Sequence, residues 1–369
     1  MARLQLPSVD RIPGGRGFAS LSRRVRTLIV TAILFLVMFI LALTLPVPYV
    51  ILSPGPTYNT LGTDTSGNVI ITIDGKTSNK TTGNLNMTTV SVTSQPISAF
   101  QAIAGWLISD EVVVPRSSVY TPGQTQQQTD QQNTQDFITS QDSAKVAALC
   151  ELGYPKGFGV VSVLANGPSH GVLLPGDQLV SVAGKPANTA AKLTAVLQAQ
   201  KPGTKVPVVV KRQTKGSGQT KTASLEVTLT TPPKGAKGAR LGIEVSDTCL
   251  APFTVDLGLA NQIGGPSAGL MFALGIMDKV GTTDLTKGRF IAGTGTIDPT
   301  GKVGPIGGIA LKMIAAKSKG ASVFLAPAGN CADVVKDTPA GLKVVKVDTL
   351  HHAVQDLLKI EQGQAVPGC

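Results

Sequence analysis

The sequence predicts a multidomain α+β protein with one N-terminal transmembrane helix, and three observations carry that reading. Residues 28–45 (LIVTAILFLVMFILALTL) contain no charge. Residues 141–233 alternate short apolar segments with glycine turns, the pattern of a compact β-rich unit. Residues 240–360 set two apolar helical stretches around short strands. A chain of 369 residues has room for two or three domains. With 42% hydrophobic and 15% charged residues, it lies outside the composition of disordered chains. Its 41 glycines and 24 prolines are equally foreign to a coiled coil.

The apolar run is long enough to cross a bilayer, making about 27 Å of helix at about 1.5 Å per residue. The net charge of +11 is uneven, with six arginines (Arg3, Arg11, Arg16, Arg23, Arg24, Arg26) against Asp10 in residues 1–26. Arg23, Arg24 and Arg26 abut the run and no comparable cluster follows it. The positive-inside rule therefore predicts a cytoplasmic N-terminus, with everything after residue 48 outside the cytoplasm. A cleaved signal peptide competes with this reading. Such a peptide has an apolar core of about 7–15 residues and a small-x-small site. Here the run is longer and only Ala42-Leu43-Thr44 is available, which favours an uncleaved anchor. Aromatic residues make up 4% of the chain, too few for the basic, aromatic stripe of a nucleic-acid binder.

The expected boundaries are a basic tail at 1–26, the anchor at 27–48, a β-rich segment with a Gln-rich tract at 49–140, and units at 141–233 and 240–360. Pro46, Pro48, Pro54 and Pro56 end the anchor helix and open an extended segment. Residues 69–73 (VIITI) and 88–92 (TTVSV) read as strands, and a helical stretch follows Pro96. The tract at 122–135 (PGQTQQQTDQQNTQ) suits either a flexible linker or a polar helix face.

Residues 141–233 contain a helix at 144–152, a strand at 160–164 after a Gly157-Phe158-Gly159 turn, and a Pro175-Gly176-Asp177 turn into 178–182. A helix at 189–199 and strands at 206–211 and 225–229 complete the series. This order resembles a PDZ domain of the kind attached to bacterial proteases. The resemblance implies that Gly157, Phe158, Gly159 and Val160 form a loop offering backbone N–H groups to a peptide carboxylate, with the peptide added as a strand. A plain tight turn without peptide affinity is the alternative.

Residues 263–278 read IGGPSAGLMFALGIMD, with Ser267 at the mouth of an apolar helix. Lys312 follows in GGIALKMIAA, inside a second helix. Ile309, Lys312, Met313 and Ala316 form one helical stripe, so Lys312 interrupts an apolar face. Between the helices, 293–297 and 301–303 read as strands around a turn. These motifs resemble the Lon proteolytic domain, whose Ser–Lys dyad sits in a PSAG turn and a GG-x-x-x-K helix. With the anchor and PDZ-like unit in front, the whole chain resembles the membrane-anchored PDZ–Lon serine proteases of Gram-positive bacteria, which carry no ATPase domain. The implied fold is one N-terminal transmembrane helix, a small β-rich segment, a PDZ domain and a C-terminal Lon-type α/β proteolytic domain.

In that family's roles, Ser267 is the nucleophile and Lys312 its base. A serine hydroxyl attacks only if a neighbour takes its proton, and lysine can do so only when neutral. Burial must lower its amine from about 10.4 by roughly three pH units. The helix start at Gly265, Pro266, Ser267 and Ala268 offers N–H groups for an oxyanion, although Ser267 would also serve as a plain N-cap. The resemblance assigns Thr294 to the lysine's hydrogen-bond partner. Two departures stand out: Gly264 where Lon usually has an acidic residue, and Thr296 where many Lon domains have glutamate.

Two other readings use the same residues. Gly265-Pro266-Ser267-Ala268-Gly269 fits G-x-S-x-G, and Asp348 with His351 or His352 follows in the order of an α/β-hydrolase triad. That fold needs a strand running directly into the first glycine, and its sheet needs more chain than follows residue 240. A catalytically silent adaptor, docking peptides through the PDZ-like unit, is the other alternative. No GxxxxGK[ST] loop occurs in the sequence, so the reading is of an ATP-independent endopeptidase without cofactor or metal. Its expected partners are flexible or unfolded protein segments and the lipid bilayer, with a homo-oligomer compatible.

Cys150, Cys249, Cys331 and Cys369 form no CxxC pair, which excludes a zinc ribbon. On the predicted topology they face an oxidising compartment. Cys249 precedes the 253–257 strand and Cys331 follows the 323–325 strand, so a disulfide between Cys249 and Cys331 is expected.

Overall fold

Ser22 caps the first helix, α1 (Arg23–Thr44), accepting from the Val25 N–H. The computed structural model describes residues 22–121, 123–213, 220–233, 235, 237–249, 251–259 and 263–369; Arg3, Arg11 and Arg16 of the basic tail lie outside them. None of α1 is buried, and it is long and apolar enough to cross a membrane. After it come β1 (Pro46–Val47), β2 (Tyr49–Asn59), β3 (Ile71–Asp74), β4 (Asn84–Val92), β5 (Ile97–Ser98), α2 (Ala99–Leu107) and β6 (Val112–Pro115). Then α3 (Gln126–Glu151) runs for 26 residues, opened by a capping box between Thr125 and Gln128.

A PDZ-like unit is built from β7 (Lys156–Val163), β8 (Gln178–Val182), β9 (Lys185–Pro186), α4 (Ala190–Gln198), β10 (Lys205–Gln213), β11 (Thr220–Thr228) and β12 (Ile243–Cys249). Its strands run β11-β10-β8-β7-β12, with β9 on β8, around a separate core that includes Val160, Leu179, Val208 and Leu229. The chain continues through β13 (Thr254–Leu257), α5 (Gly269–Val280), β14 (Phe290–Gly293), β15 (Thr296–Ile297), β16 (Val303–Gly304) and α6 (Ile309–Ser318). It ends with β17 (Val323–Pro327), α7 (Cys331–Asp337), β18 (Lys343–Val347) and α8 (Leu350–Glu361).

The second sheet runs β18-β17-β14-β4-β2-β6. Its β18, β17, β14 and β4 are parallel neighbours, while β2 and β6 are antiparallel. Strand β17 (VFLAP) is buried at every position, the signature of a parallel strand covered on both faces. All twelve residues of α5 are buried, as suits a helix apolar around its first nine residues, and Asp278 and Lys279 near its end bond the Leu285 N–H and the Ile71 carbonyl. Phe272 of α5 meets Phe137 of α3 edge to face at 5.7 Å.

This architecture corrects two expectations and decides between two alternatives at a third place. The β-rich segment expected at 49–140 is not separate, since its β2, β4 and β6 lie in one sheet with β14, β17 and β18. Ile71, Leu85 and Met87 share one core with Leu270, Leu325 and Val347, because β4 pairs in parallel with β14. Of the two readings left open for the Gln-rich tract, the helix is the one found: residues 126–135 are the first part of α3. The PDZ-like sheet also extends past residue 233, since β12 lies antiparallel on β7 from Lys156 to Val163.

The expected bridge between Cys249 and Cys331 does not form; Cys150 pairs with Cys249 and Cys331 with Cys369, each with Cα atoms 5.1 Å apart. The register explains the first pair. Cys249 faces Lys156, a few residues beyond Cys150 at the end of α3. For the second, the C-terminal tail returns along β18, where the Lys346 N–H donates to the Pro367 carbonyl. That leaves Cys369 beside the start of α7.

Candidate active site

Three side chains from three elements meet at one point. Lys312, in the first turn and a half of α6, donates from Nζ to Ser267 Oγ at 2.8 Å and to Thr294 Oγ1 at 3.0 Å. Thr294 Oγ1 in turn donates to the Ser267 carbonyl at 3.0 Å, and the Gly295 N–H binds the same oxygen at 2.8 Å. Thr294 sits just past β14, where its N–H bonds Leu325 on the neighbouring strand. The sheet thus fixes the threonine, and the threonine fixes both the lysine and the serine backbone.

Lys312 is 3% exposed, and Ile309, Met313 and Ala316 of its stripe are buried with it. Burial lowers its amine from 10.5 to about 8. About a tenth of the chains then hold a neutral amine at pH 7. Gly308 allows α6 to start where it does: its φ is +70°, and a Cβ there would stand 2.8 Å from Val90 Cγ2 on β4.

Ser267 is half-buried and is not the cap of α5. That position belongs to Ala268, and Ser267 Oγ is free to face Lys312. The expected oxyanion region narrows. Gly265 donates its N–H to the Asn133 carbonyl at 2.8 Å, and Pro266 has no N–H. Among the described residues no acceptor binds the Ser267 or Ala268 N–H, so these two remain as donors. Ser267, Ala268 and Lys312 line a cavity of about 430 Å³, walled by Pro56 and Tyr58 of β2 and by Thr88, Val90 and Ser91 of β4.

Sequence reasoning missed these walls and missed the support from α3. Ser140 Oγ donates to the Pro266 carbonyl at 2.7 Å, and Asn133 holds Gly265. The same helix accounts for Gly264, where a Cβ would come 2.7 Å from Asn133 Cβ. An acidic side chain has no room there. A legible signal for α3 was the Thr125-x-x-Gln128 capping box; nothing in the sequence announced that β2 and β4 would wall the site.

The hydrolase-triad reading does not survive. At the exposed start of α8, His352 Nδ1 pairs with Asp348 at 2.6 Å and His351 Nδ1 with Glu151 at the end of α3 at 2.7 Å. Neither histidine lines the cavity. The peptide-loop expectation also changes. Gly157, Phe158, Gly159 and Val160 lie within β7, Phe158 and Val160 are buried, and β12 covers that edge. Gly159 serves close strand packing, since a Cβ there would stand 2.6 Å from the Asp177 carbonyl oxygen.

Residues 260–360 match the Lon protease (S16) C-terminal proteolytic domain, and residues 135–229 match a PDZ domain. The Lon protease of Campylobacter concisus is 37% identical over 98 residues, which are 26% of this chain and 12% of that protein. Lon protease 2 of Bacillus subtilis is 33% identical over 96 residues, 26% of this chain and 17% of that protein. The chain thus spans less than a fifth of the length of these curated relatives. Similar solved structures include PDZ domains of SdrC-like proteins from Listeria monocytogenes and Listeria innocua. The first is 22% identical, covering 24% of this chain and 86% of that chain at a TM-score of 0.21. The second is 24% identical, covering 24% and 92% at a TM-score of 0.20. The chain therefore carries a PDZ domain followed by a Lon-type C-terminal proteolytic domain, and Ser267, Thr294 and Lys312 meet inside the second.

Proposed function

We propose that this chain is a membrane-anchored, ATP-independent serine endopeptidase that cuts extracytoplasmic protein segments with a Ser267–Lys312 dyad. One observation carries the proposal: a buried lysine amine, held near pH 8, lies 2.8 Å from a serine hydroxyl that opens into a cavity. Neutral Lys312 takes the proton as Ser267 Oγ attacks a peptide carbonyl. The Ser267 and Ala268 N–H groups receive the developing oxyanion. The lysine then returns the proton to the leaving amine, and water, activated by the same amine, frees the serine. Thr294 keeps the lysine pointed at Oγ throughout.

The matched Lon domain supports the chemical class, and α1 with Arg23, Arg24 and Arg26 at its start supports the anchor and its orientation. No P-loop occurs in the sequence, so substrates would be segments already flexible or unfolded. The PDZ domain would dock peptides or regulate access, through a surface other than the β7 edge that β12 covers. The test is cleavage of an unfolded protein by the full chain and by its Ser267→Ala and Lys312→Arg variants. Both variants should be inactive, since guanidinium stays charged. Full activity in Lys312→Arg would remove the dyad, and a cellular phenotype untouched by Ser267→Ala would favour the adaptor reading.

A further inference from the structure

Helix α2 contains no charged residue, and its two faces differ. Ala102 and Gly105 are buried, with Gly105 close against Ile51 and Val113. Phe100, Ile103, Trp106 and Leu107 stand on the opposite face and are exposed, Trp106 at 62% and Leu107 at 83%. At helical spacing these four make one continuous apolar stripe. A stripe of this kind facing water would be a standing aggregation site.

Its position says what covers it. Phe100 packs edge to face on Phe39 of α1 at 6.0 Å between centroids. Phe39 lies five residues before the end of α1, so Phe100 sits about 7–8 Å inside that end at about 1.5 Å per residue. The helix is tied there. Strand β1 pairs with β5 immediately before α2, and the Ala99 N–H bonds the Leu45 carbonyl at the end of α1. The N-terminus of α2 is closed by a capping box between Ser98 and Gln101, which satisfies backbone groups that a lipid surface could not. Trp106 stacks edge to face on Tyr49 at 6.3 Å, an aromatic pair of the kind that sits at a bilayer boundary. Asp110 and Glu111 follow directly and return the chain to water.

We propose that α2 lies in the outer membrane–water interface with Phe100, Ile103, Trp106 and Leu107 in the lipid, forming a second membrane contact beside α1. The contact rests on the reading of α1 as a membrane span. Apolar burial drives it, so uncharged phospholipid suffices. Two contacts in place of one fix the height and tilt of the proteolytic domain. Strand β2 leaves the interface at Tyr49 and reaches the cavity wall at Pro56, seven residues on, about 23 Å along an extended chain. The cavity is thereby held at a set distance from the bilayer instead of swinging on a tether.

Trp106 is the chain's one tryptophan, so its fluorescence reports this helix without a variant. The full chain is reconstituted into phosphatidylcholine vesicles with brominated acyl chains, and resistance to alkaline carbonate extraction reports the anchor separately. The expected result is a blue-shifted emission quenched by bromines near the headgroup more than by deep ones, and shielded from aqueous acrylamide. A carbonate-resistant chain whose tryptophan is quenched by acrylamide and not by bromine overturns the proposal and leaves the anchor standing. A tryptophan shielded from both quenchers means that protein, such as a second copy, covers the stripe, and also overturns it. A chain extracted by carbonate overturns the anchor and this contact together.

Discussion

Replacing Lys312 with methionine should abolish activity and make the protein more stable at neutral pH. The gap between 10.5 and about 8 measures the cost of keeping an ammonium in that interior. At about 1.4 kcal/mol per pH unit, it amounts to about 3 kcal/mol. The sign follows from linkage. Below about pH 8 the lysine is charged folded and unfolded, so the folded state bears the whole cost. Above 10.5 it is neutral in both states and the cost is gone. Methionine keeps the unbranched length and fits the apolar stripe of Ile309, Met313 and Ala316. Two hydrogen bonds are lost, to Ser267 Oγ and Thr294 Oγ1. Ser267 can turn to water and Thr294 keeps its bond to the Ser267 carbonyl, so roughly 1 kcal/mol comes off. The variant should therefore gain about 2 kcal/mol at pH 7, an advantage that fades between pH 8 and 10.5 and leaves it about 1 kcal/mol below the parent once the burial cost is gone. Pulse proteolysis in urea, on the full chain in detergent at pH 7 and pH 10, reads both values. A variant less stable than the parent at pH 7, or a difference that ignores pH, would refute the buried-ammonium argument.

Ser140→Ala removes the hydroxyl that holds the Pro266 carbonyl, and should lower kcat about three- to tenfold with KM little changed, as expected for one lost positioning bond; rescue by Ser140→Thr separates positioning from packing. Asp278 is buried and its carboxyl is raised to about 6, chiefly by burial. Because the folded state holds that proton more tightly, Asp278→Asn should stabilise the protein at pH 7 and lose the advantage as pH falls toward 4, provided its oxygen still accepts from the Leu285 N–H; thermal unfolding at pH 4 and 7 checks this. Non-reducing peptide mapping should return Cys150 with Cys249 and Cys331 with Cys369, and reduction of the first pair, which closes the longer loop, should cost about 5 kcal/mol in the chain-entropy model.

What was legible from sequence was local. Lys312 could be picked out because a charge at the centre of an Ile309–Met313–Ala316 stripe has no solvent to face. Ser267 could be picked out because two glycines and a proline precede it at the mouth of a helix that opens with nine residues free of polar side chains. The strands at 69–73 and 88–92 were visible too, but not their partners, because β3 finds β13 and β4 finds β14 some two hundred residues away and no local pattern encodes those pairings. Helix α3 was legible only in part, as the expected helix at 144–152, and its earlier part hid for a different reason. Its buried face includes Ser140, Gln141, Asp142 and Ser143, so hydrophobic periodicity says little, and only the capping box marks its start. Cysteine pairing is likewise a tertiary property. The bridge between Cys150 and Cys249 follows from the β7–β12 register, and the one between Cys331 and Cys369 from a tail that returns along β18. Gly157 and Gly159 looked like a turn because glycine serves tight turns and close strand contacts equally well.

The central claim is that Lys312 makes Ser267 a nucleophile, and covalent labelling measures it most directly. The full chain is exposed to a peptidyl fluorophosphonate, and the adduct is located and timed by mass spectrometry across pH. One adduct should form, on Ser267, at a rate that rises through about pH 8 as the Lys312 amine becomes neutral, and it should be lost in Lys312→Met. An adduct on another serine, or equal labelling of Ser267 in the methionine variant, would contradict it.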